Sequence, residues 1–165
     1  MKKTCVIYGS STGTCEDIAK RIASKLDNAE VIDAAKLSVE TIAANDNLLL
    51  GTSTWGAGEM QDDWYDGIKA LKEADLNGKT IALFGCGDSE SYCDTFCGGM
   101  AELYQAVEEK GANIIGKVSA DNYTYDDSEA VIDGEFVGLA LDEMNESDKT
   151  DERINAWLAA IKPQL

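Results

Sequence analysis

The sequence predicts a doubly wound α/β domain, in which a parallel sheet of five strands has helices on both faces. Two observations support this fold class. Apolar runs of strand length alternate with amphipathic helical patterns along the whole chain. The runs are continuous, as in strands that are buried on both faces. The chain has 165 residues, of which 44% are hydrophobic and one is proline, so we expect a single ordered domain over residues 1–165.

The apolar runs give the strand predictions. We place strands at residues 5–8, 29–33, 46–51, 80–85 and 113–118. A polar, acidic stretch at 119–136 then breaks the pattern, and the apolar run 137–141 resumes the fifth strand. We therefore expect an insertion within the fifth strand, and this insertion could form a hairpin of its own.

The helix predictions rest on apolar spacing and on end signals. We place helices at residues 16–26, 38–44, 62–74, 99–110 and 150–161. In the first, Ile18, Ile22 and Leu26 recur at the interval of one helical face. Ser38 is placed to cap the second helix, and Pro163 ends the last one.

The chain is strongly acidic. It has 31 Asp and Glu residues against 14 Lys and Arg residues, which gives a formal net charge of −17. This balance argues against nucleic acid and anionic membrane surfaces as partners and favours basic ones. Solubility is the alternative explanation of the charge. The candidate docking acids in the loops are Glu59, Asp62, Asp63, Asp94 and Asp142. The sequence predicts neither a targeting segment nor a membrane span.

Five cysteines, at positions 5, 15, 86, 93 and 97, occur in a chain without histidine. Their number is odd and their spacing matches no zinc site, so we expect neither a metal site nor a secreted disulfide framework. Reduced thiols in the cytoplasm are the simplest interpretation.

The loop at residues 9–15 lies between a predicted strand and a predicted helix and has the composition of a phosphate site. The first N–H groups of a helix lack partners within the helix and attract anions. The loop adds four hydroxyl groups and contains neither Lys nor Arg. Its spacing differs from the P-loop and from the dinucleotide motif, so a terminal monophosphate fits better. An ordinary capped turn is the alternative.

Two large aromatic residues lie in the loops that follow the third and fourth strands. Trp55 is beside Gly56, and Tyr92 is between Asp88 and Asp94. Since parallel strands end at one edge of the sheet, we expect these loops and the phosphate loop to form one pocket. The two rings could then enclose a flat ligand ring. Packing of each aromatic ring within its own loop is the alternative.

Several motifs in this order resemble those of the flavodoxins of the long-chain type. They are Ser10-Ser11-Thr12-Gly13-Thr14-Cys15-Glu16, Thr54-Trp55-Gly56, Phe84-Gly85-Cys86-Gly87-Asp88 with Tyr92, and Phe136-Val137-Gly138-Leu139-Ala140-Leu141-Asp142-Glu143. The resemblance extends over essentially the whole chain. It implies a flavodoxin-like fold with strand order 2-1-3-4-5. It also implies a low-potential one-electron carrier with noncovalently bound FMN, cycling mainly between semiquinone and hydroquinone.

The resemblance also implies the cofactor contacts. Residues 10–15 would hold the phosphate, and Trp55 and Tyr92 would lie on the two ring faces. The full set is Ser10, Ser11, Thr12, Gly13, Thr14, Cys15, Thr54, Trp55, Gly56, Ala57, Gly58, Cys86, Gly87, Asp88, Tyr92, Asp94, Thr95 and Cys97. Cys15 stands where the family usually has Thr, which replaces a hydroxyl donor by a weaker thiol. The implied partners are basic-surfaced redox proteins, such as flavodoxin or ferredoxin reductases and low-potential acceptors, and we expect a cytoplasmic monomer.

Two other functions would suit this topology. An FMN-dependent NAD(P)H reductase needs an open ring face and a basic patch for the dinucleotide, whereas the loops here are acidic and carry two aromatic residues. A receiver-type signalling domain needs acidic residues at the end of the first strand, where this chain has Gly9, Ser10 and Ser11. Neither function is favoured by these residues.

Overall fold

The computed structural model describes residues 3–10, 13–26, 29–55, 59–108 and 110–165, with the side chains of Trp55, Glu59 and Asn122 left out. The strands and helices in chain order are β1 Thr4–Gly9, α1 Thr14–Ser24, β2 Ala29–Asp33, α2 Val39–Ala44, β3 Asn47–Trp55, β4 Glu59–Met60, α3 Asp63–Glu73, β5 Thr80–Cys86, α4 Gly99–Glu108, β6 Asn113–Ile115, β7 Val118–Ser119, β8 Val131–Ile132, β9 Glu135–Phe136, β10 Leu139–Leu141 and α5 Ser147–Ile161.

The main sheet confirms the predicted topology. β1 lies between β2 and β3, β3 pairs with β5, and β5 pairs with both β6 and β10, always in parallel. If β6 and β10 are counted as two halves of a fifth strand, the spatial order of the parallel strands is 2-1-3-4-5. The carboxyl ends of these strands therefore meet at one edge, where ligands bind in doubly wound sheets.

Helices cover both faces of this sheet. On one face, Ile18 of α1 and Trp157 of α5 pack with Val6 and Phe84. On the other face, Trp64 of α3 packs with Ile7 and with residues of α4. The continuous apolar strands predicted this arrangement, because both faces of such strands need cover.

The helix positions are confirmed, with shifts at the ends. α1 begins at Thr14, two residues before the predicted start, and α5 begins at Ser147, three residues before it. Ser38 caps α2 as predicted, since its hydroxyl accepts a hydrogen bond from Thr41 N at 3.2 Å. The described residues include no helix whose length and apolar character suit a bilayer crossing.

The insertion in the fifth strand forms a small antiparallel sheet with the order β7-β9-β8. Asp133 and Gly134 connect β8 to β9, both with positive φ, as in the two-residue turns of hairpins. The predicted strand 113–118 was too long, because β6 ends at Ile115. Val118 belongs instead to the small sheet, where it pairs with Phe136.

The insertion attaches to the rest of the fold through aromatic side chains. Phe96, in the loop after β5, lies 6.1 Å from Tyr123, 5.7 Å from Tyr125 and 5.8 Å from Phe136, measured between ring centroids. Tyr123 also donates a hydrogen bond to the carbonyl oxygen of Ala140 at 2.7 Å. The insertion therefore supports the back of the loop that carries Tyr92.

Candidate functional site

A cavity of about 280 Å³ opens at the carboxyl edge of the sheet. Its lining comes from the start of α1, the end of β3, the end of β5 with the loop that follows it, and the turn after β10. The lining residues are Thr14, Ser53, Thr54, Cys86, Gly87, Asp88, Tyr92, Thr95, Glu143 and Met144. The loops that the sequence predicted to converge thus meet at a single cavity.

The first wall of the cavity is the start of α1. Gly13, at φ 91°, lies immediately before the helix and has no side chain with which to cap it. Its own N–H donates to the hydroxyl oxygen of Ser10 at 3.0 Å, which closes the turn. The first N–H groups of α1 follow at Thr14, a residue that lines the cavity. Such N–H groups, together with the helix dipole, favour an anion.

Cys15, the next residue, turns into the core and is fully buried. Its pKa is raised well above the ordinary value by a hydrogen bond with the Cys86 thiol and by burial. Cys97 is also fully buried, and desolvation raises its pKa in the same way. Any ligand contact by these two residues would therefore use their backbone groups.

The second wall is the end of β3. The hydroxyl oxygen of Thr54 accepts a hydrogen bond from the N–H of Gly99 at 3.1 Å, which ties this wall to the start of α4. The hydroxyl oxygen of Thr52 accepts from the N–H of Gln61 at 2.9 Å, closing the base of the loop. The predicted contacts Gly56, Ala57 and Gly58 lie outside the described residues, as does the side chain of Trp55.

The third wall is a turn after β5, organised by Asp88. The Asp88 carboxylate accepts from the N–H groups of Glu90 and Ser91 at 3.1 and 2.9 Å and from the Asn145 amide at 2.8 Å. These hydrogen bonds, with that from Ser91 as the largest contribution, lower the pKa of Asp88. The turn places Tyr92 at the cavity with 59% of its side chain exposed.

The fourth wall, after β10, was absent from the sequence prediction. Glu143 and Met144 both line the cavity, and Met144 is 72% exposed. They follow the resumed fifth strand directly. Ligands bind at the carboxyl ends of parallel strands, and the sequence analysis applied this rule only to strands one, three and four. Its extension to the fifth strand would have found both residues. Ser53, the remaining unpredicted lining residue, lies one position before the predicted Thr54.

Asp142 corrects one expectation from the sequence. It was a candidate docking acid, but its side chain is fully buried. Its carboxylate accepts from the Ser89 hydroxyl, from Ser89 N at 3.2 Å and from Asn145 N at 3.1 Å. It therefore holds the third and fourth walls together and cannot contribute to an exposed surface.

The cavity has an acidic character. Among its described lining residues, Asp88 and Glu143 are acidic and none is basic. The guanidinium of Arg21 lies behind the fourth wall, 3.7 Å from Glu143 and 2.6 Å from Asp151. A bound anion would thus rely on N–H groups, hydroxyls and the helix dipole, as the loop composition predicted.

The predicted contacts fall into three groups. Those that line the cavity are Thr14, Thr54, Cys86, Gly87, Asp88, Tyr92 and Thr95. Those that are described but lie away from its lining are Ser10, Gly13, Cys15, Asp94 and Cys97. Ser11 and Thr12 lie outside the described residues, together with Gly56, Ala57, Gly58 and the side chain of Trp55.

Comparisons with known proteins agree with this geometry. Residues 6–157 match the family model described as flavodoxin. The chain is 43% identical to flavodoxin 1 of Escherichia coli K12 over 168 aligned residues, which cover all of this chain and 96% of the relative. It is 39% identical to the flavodoxin of Helicobacter pylori, with 98% of each chain covered. The crystal structure of Fusobacterium nucleatum flavodoxin bound to flavin mononucleotide superposes with a TM-score of 0.93 at 34% identity, covering 100% of this chain and 99% of that one.

Proposed function

The chain belongs to the flavodoxin family, and from this premise we propose that it binds FMN noncovalently in the cavity at the carboxyl edge of its sheet. It is an electron carrier and not an enzyme. One observation carries the proposed location. The start of α1 and the exposed ring of Tyr92 line the same cavity. The helix start suits a phosphate, and the tyrosine ring suits a flat apolar group.

The phosphate end of the cavity fits a terminal phosphate. The start of α1 offers N–H groups without a side-chain cap, and the hydroxyl of Thr14 lines the cavity beside them. Ser10, Ser11, Thr12, Gly13 and the backbone of Cys15 complete the proposed phosphate contacts. A dianionic phosphate would satisfy several donors at once, which a neutral ligand would not.

The remaining lining fits the rest of the cofactor. We assign the ring to Tyr92 and Trp55, and the further contacts to Thr54, Gly56, Ala57, Gly58, Cys86, Gly87, Asp88, Asp94, Thr95 and Cys97. An aromatic pair of this kind contributes roughly 0.5–1.5 kcal/mol beyond the burial of area. Met144, which is exposed and lines the same cavity, adds an apolar neighbour.

Bound FMN supplies one-electron redox chemistry. The protein sets the electrostatic environment: the described lining has two carboxylates and no cation, within a chain of net charge −17. Added negative charge is therefore disfavoured, and we propose a low reduction potential for this reason. Tyr92 and Met144 would limit the access of water to the ring.

As an electron carrier, the protein has redox partners. We propose that these are basic-surfaced flavodoxin or ferredoxin reductases and low-potential acceptors, to which the acidic surface would dock by charge. Asp62 and Asp94 are exposed and Asp63 is half-buried, so these acids are available. We also propose that residues 1–165 form one cytoplasmic, monomeric domain that binds neither nucleic acid nor membranes, in keeping with its five free thiols.

An anaerobic reductive titration of the purified protein, followed by visible absorption, tests the proposal. NADH and NADPH are first added separately. We expect a yellow protein that neither nucleotide bleaches and that a chemical reductant reduces in two one-electron steps. Direct bleaching by a nicotinamide would instead support the reductase, and a colourless protein that does not take up FMN would contradict the assigned cavity. The flavodoxin relatives do not favour the reductase.

A further inference from the structure

A second cavity, of about 640 Å³, lies between α5 and the segment that leaves β6 for the insertion. Its lining comes from residues 116–119, Tyr123, Leu139 of β10 and one face of α5, and we call it the α5 cavity. It shares no described lining residue with the cavity at the carboxyl edge of the sheet. Its volume is within the range of about 300–1,000 Å³ that is typical of small-molecule sites. The fold therefore offers room for a second ligand.

The floor of the α5 cavity is apolar. Leu139 and Trp157 are almost fully buried, and both belong to one apolar cluster, against which Val118 packs. Ala156 and Ala160, one helical turn apart on α5, add small apolar side chains to the lining. The apolar body of a ligand would be removed from water here, which favours binding.

Hydrogen bonds hold the walls of the α5 cavity in place. The indole N–H of Trp157 donates to the carbonyl oxygen of Gly116 at 2.9 Å. Gly116 has φ 83°, and a Cβ there would lie 2.6 Å from the indole nitrogen, so this approach requires glycine. The Tyr123 hydroxyl donates to the carbonyl oxygen of Ala140 at 2.7 Å, and the Arg153 guanidinium lies 4.1 Å from the centre of the Tyr123 ring. A ligand would thus meet a preformed site, which lowers the entropic cost of binding.

The polar part of this lining is basic, although the chain is acidic. Lys117, Lys149 and Arg153 line the α5 cavity, and Glu152 is the one acid among its described lining residues. The whole chain has 31 acidic and 14 basic residues. The described lining of the cavity at the carboxyl edge has two acids and no cation. A local excess of cations raises the local concentration of anions, so the α5 cavity favours an anionic ligand.

Glu146 compensates part of this positive charge from outside the lining. Its carboxylate lies 2.9 Å from Lys149 Nζ and 3.1 Å from a guanidinium nitrogen of Arg153. Within the part of the chain that the structure describes, Lys117 forms no ion pair, and its Nζ lies 5.9 Å from the centre of the Tyr104 ring. The three cations therefore exceed the two nearby acids by one charge, which suits a ligand with a single negative charge.

We propose that the α5 cavity is a binding site for an aromatic carboxylate. The carboxylate lies among the three cations, and the ring packs against Leu139 and Trp157. A flat ring is favoured because guanidinium groups stack on aromatic faces, and the Arg153 guanidinium already lies over Tyr123. This site goes beyond the proposed function and does not depend on FMN.

NMR titration of the purified, unaltered protein with cinnamate tests the site. The protein is first saturated with FMN, so that the probe has no access to the proposed cofactor cavity. We expect saturable shifts of the Trp157 indole N–H and of the Lys117 and Val118 amides, with half-saturation at about 1 mM or below. Cinnamyl alcohol, a neutral analogue with the same ring, should bind at least about tenfold more weakly.

Two pairs of variants locate the probe. Ala156→Glu places a carboxylate in the lining and should weaken cinnamate binding by about tenfold or more. Ala159→Glu, at an exposed position of the same helix outside the described lining, should leave binding unchanged. Lys117→Gln should weaken binding roughly twofold to fivefold, whereas Lys69→Gln, at an exposed lysine of α3, should leave it unchanged.

Several results would overturn the proposal. They are the absence of shifts at the Trp157 indole in the unaltered protein, equal binding of cinnamate and cinnamyl alcohol, and equal weakening by Ala156→Glu and Ala159→Glu. Shifts confined to Tyr92 and Met144 would also overturn it, because they would place the probe in the cavity at the carboxyl edge. A protein that takes up no FMN but binds cinnamate beside Trp157 would support this site and contradict only the proposed function.

Discussion

The buried carboxylate of Asp142, at the end of β10, accepts hydrogen bonds from both the hydroxyl and the N–H of Ser89, in the turn after β5. The same carboxylate accepts from Asn145 N at 3.1 Å, and the Asn145 amide reaches Asp88 at 2.8 Å. Two walls of the cavity are therefore joined by a network that lies behind them. The positions of Tyr92 and Met144 depend on this network.

Replacing Asp142 should cost stability. Asp142→Ala leaves the Ser89 N–H and hydroxyl without their acceptor in a buried site, so we expect the free energy of unfolding to fall by about 3 kcal/mol. Urea denaturation of the cofactor-free protein measures this change. Asp94→Ala, at an exposed acid of the loop that carries Ser89, should change stability by less than about 0.5 kcal/mol. Equal effects of the two substitutions would rule out the bridging role of Asp142.

The Asp88 turn should make stability depend on pH. The pKa of Asp88 in the folded protein lies below its ordinary value of 3.8. The turn therefore contributes stability above that ordinary value, and the contribution is lost as the pH falls through the lower, folded-state pKa. Asn145→Ala removes one donor and should raise the pKa of Asp88 towards 3.8, as NMR titration of the carboxyl carbon would show. Asn113→Ala, at an exposed position on the edge strand, should leave the Asp88 titration unmoved.

Tyr92→Ala should alter the bound cofactor in two ways. Loss of the ring contact should weaken FMN binding by up to about tenfold. Water should then reach the reduced ring and stabilise its charge, so that the second one-electron potential rises by roughly 60 mV, a tenfold change in the equilibrium constant. Fluorescence titration and spectroelectrochemistry measure the two quantities. Tyr65→Ala, at a tyrosine of α3 that is 47% exposed, is the control, and a second potential that stays constant or falls in Tyr92→Ala would contradict the shielding role.

Association with a basic reductase should depend on the exposed acids Asp62 and Asp94. We expect the association rate constant to fall by about tenfold or more from low to physiological salt. The double variant Asp62→Asn with Asp94→Asn should lower it roughly twofold to fivefold at low salt, as stopped-flow reduction kinetics would show. Glu73→Gln removes an exposed charge at the far end of α3. If Glu73→Gln slowed association as much as the double variant, net charge and not a docking surface would control the rate.

The return of the chain from the insertion to the sheet should be sensitive to side-chain size. A Cβ on Gly138 would lie 2.1 Å from the carbonyl oxygen of Leu83, so Gly138→Ala should lower the free energy of unfolding by about 3 kcal/mol. Gly134 has open space around it but a positive φ. Gly134→Ala should therefore cost only about 1–2 kcal/mol. Thermal and urea unfolding compare the two variants, and a larger cost at Gly134 would contradict the close approach at Gly138.

The strands and the helix faces could be predicted because local patterns determine them, whereas the strand order 2-1-3-4-5 was implied by the resemblance to the flavodoxins. Continuous runs such as Leu48-Leu49-Leu50 need cover on both sides, and Ser38 is a cap signal that acts within a few residues. The end of β6 was missed because the apolar run continues to Val118 although the chain leaves β5 at Gly116. A run of apolar residues does not reveal which strand its members pair with.

The cavity could be predicted only in part, since its lining depends on contacts between distant segments. Asp142 is of a residue type that usually lies at the surface. Its burial depends on the N–H and hydroxyl donors of Ser89, 53 positions away. Tyr123 and Tyr125 stand in an acidic stretch, yet both pack on Phe96. Cys15 keeps the place of a phosphate-loop residue, while its side chain is fully buried in the apolar cluster that contains Phe84. None of these partners is near in sequence, so no local pattern could identify them.

The pairing of β6 and β10, the two halves of the fifth strand, shows how the segment between them could be gained or lost during evolution. Ile115 pairs with Ala82 and Leu139 pairs with Phe84, so one residue opposite Leu83 would make the strand continuous in the same register. The whole segment 116–138 could be gained or lost in a single genetic event without any shift among the other strands, since surface insertions cost little loop entropy. Its loss would uncover Phe96, which the aromatic residues of the segment now contact. A shortened descendant of this chain would therefore gain from a polar residue at position 96.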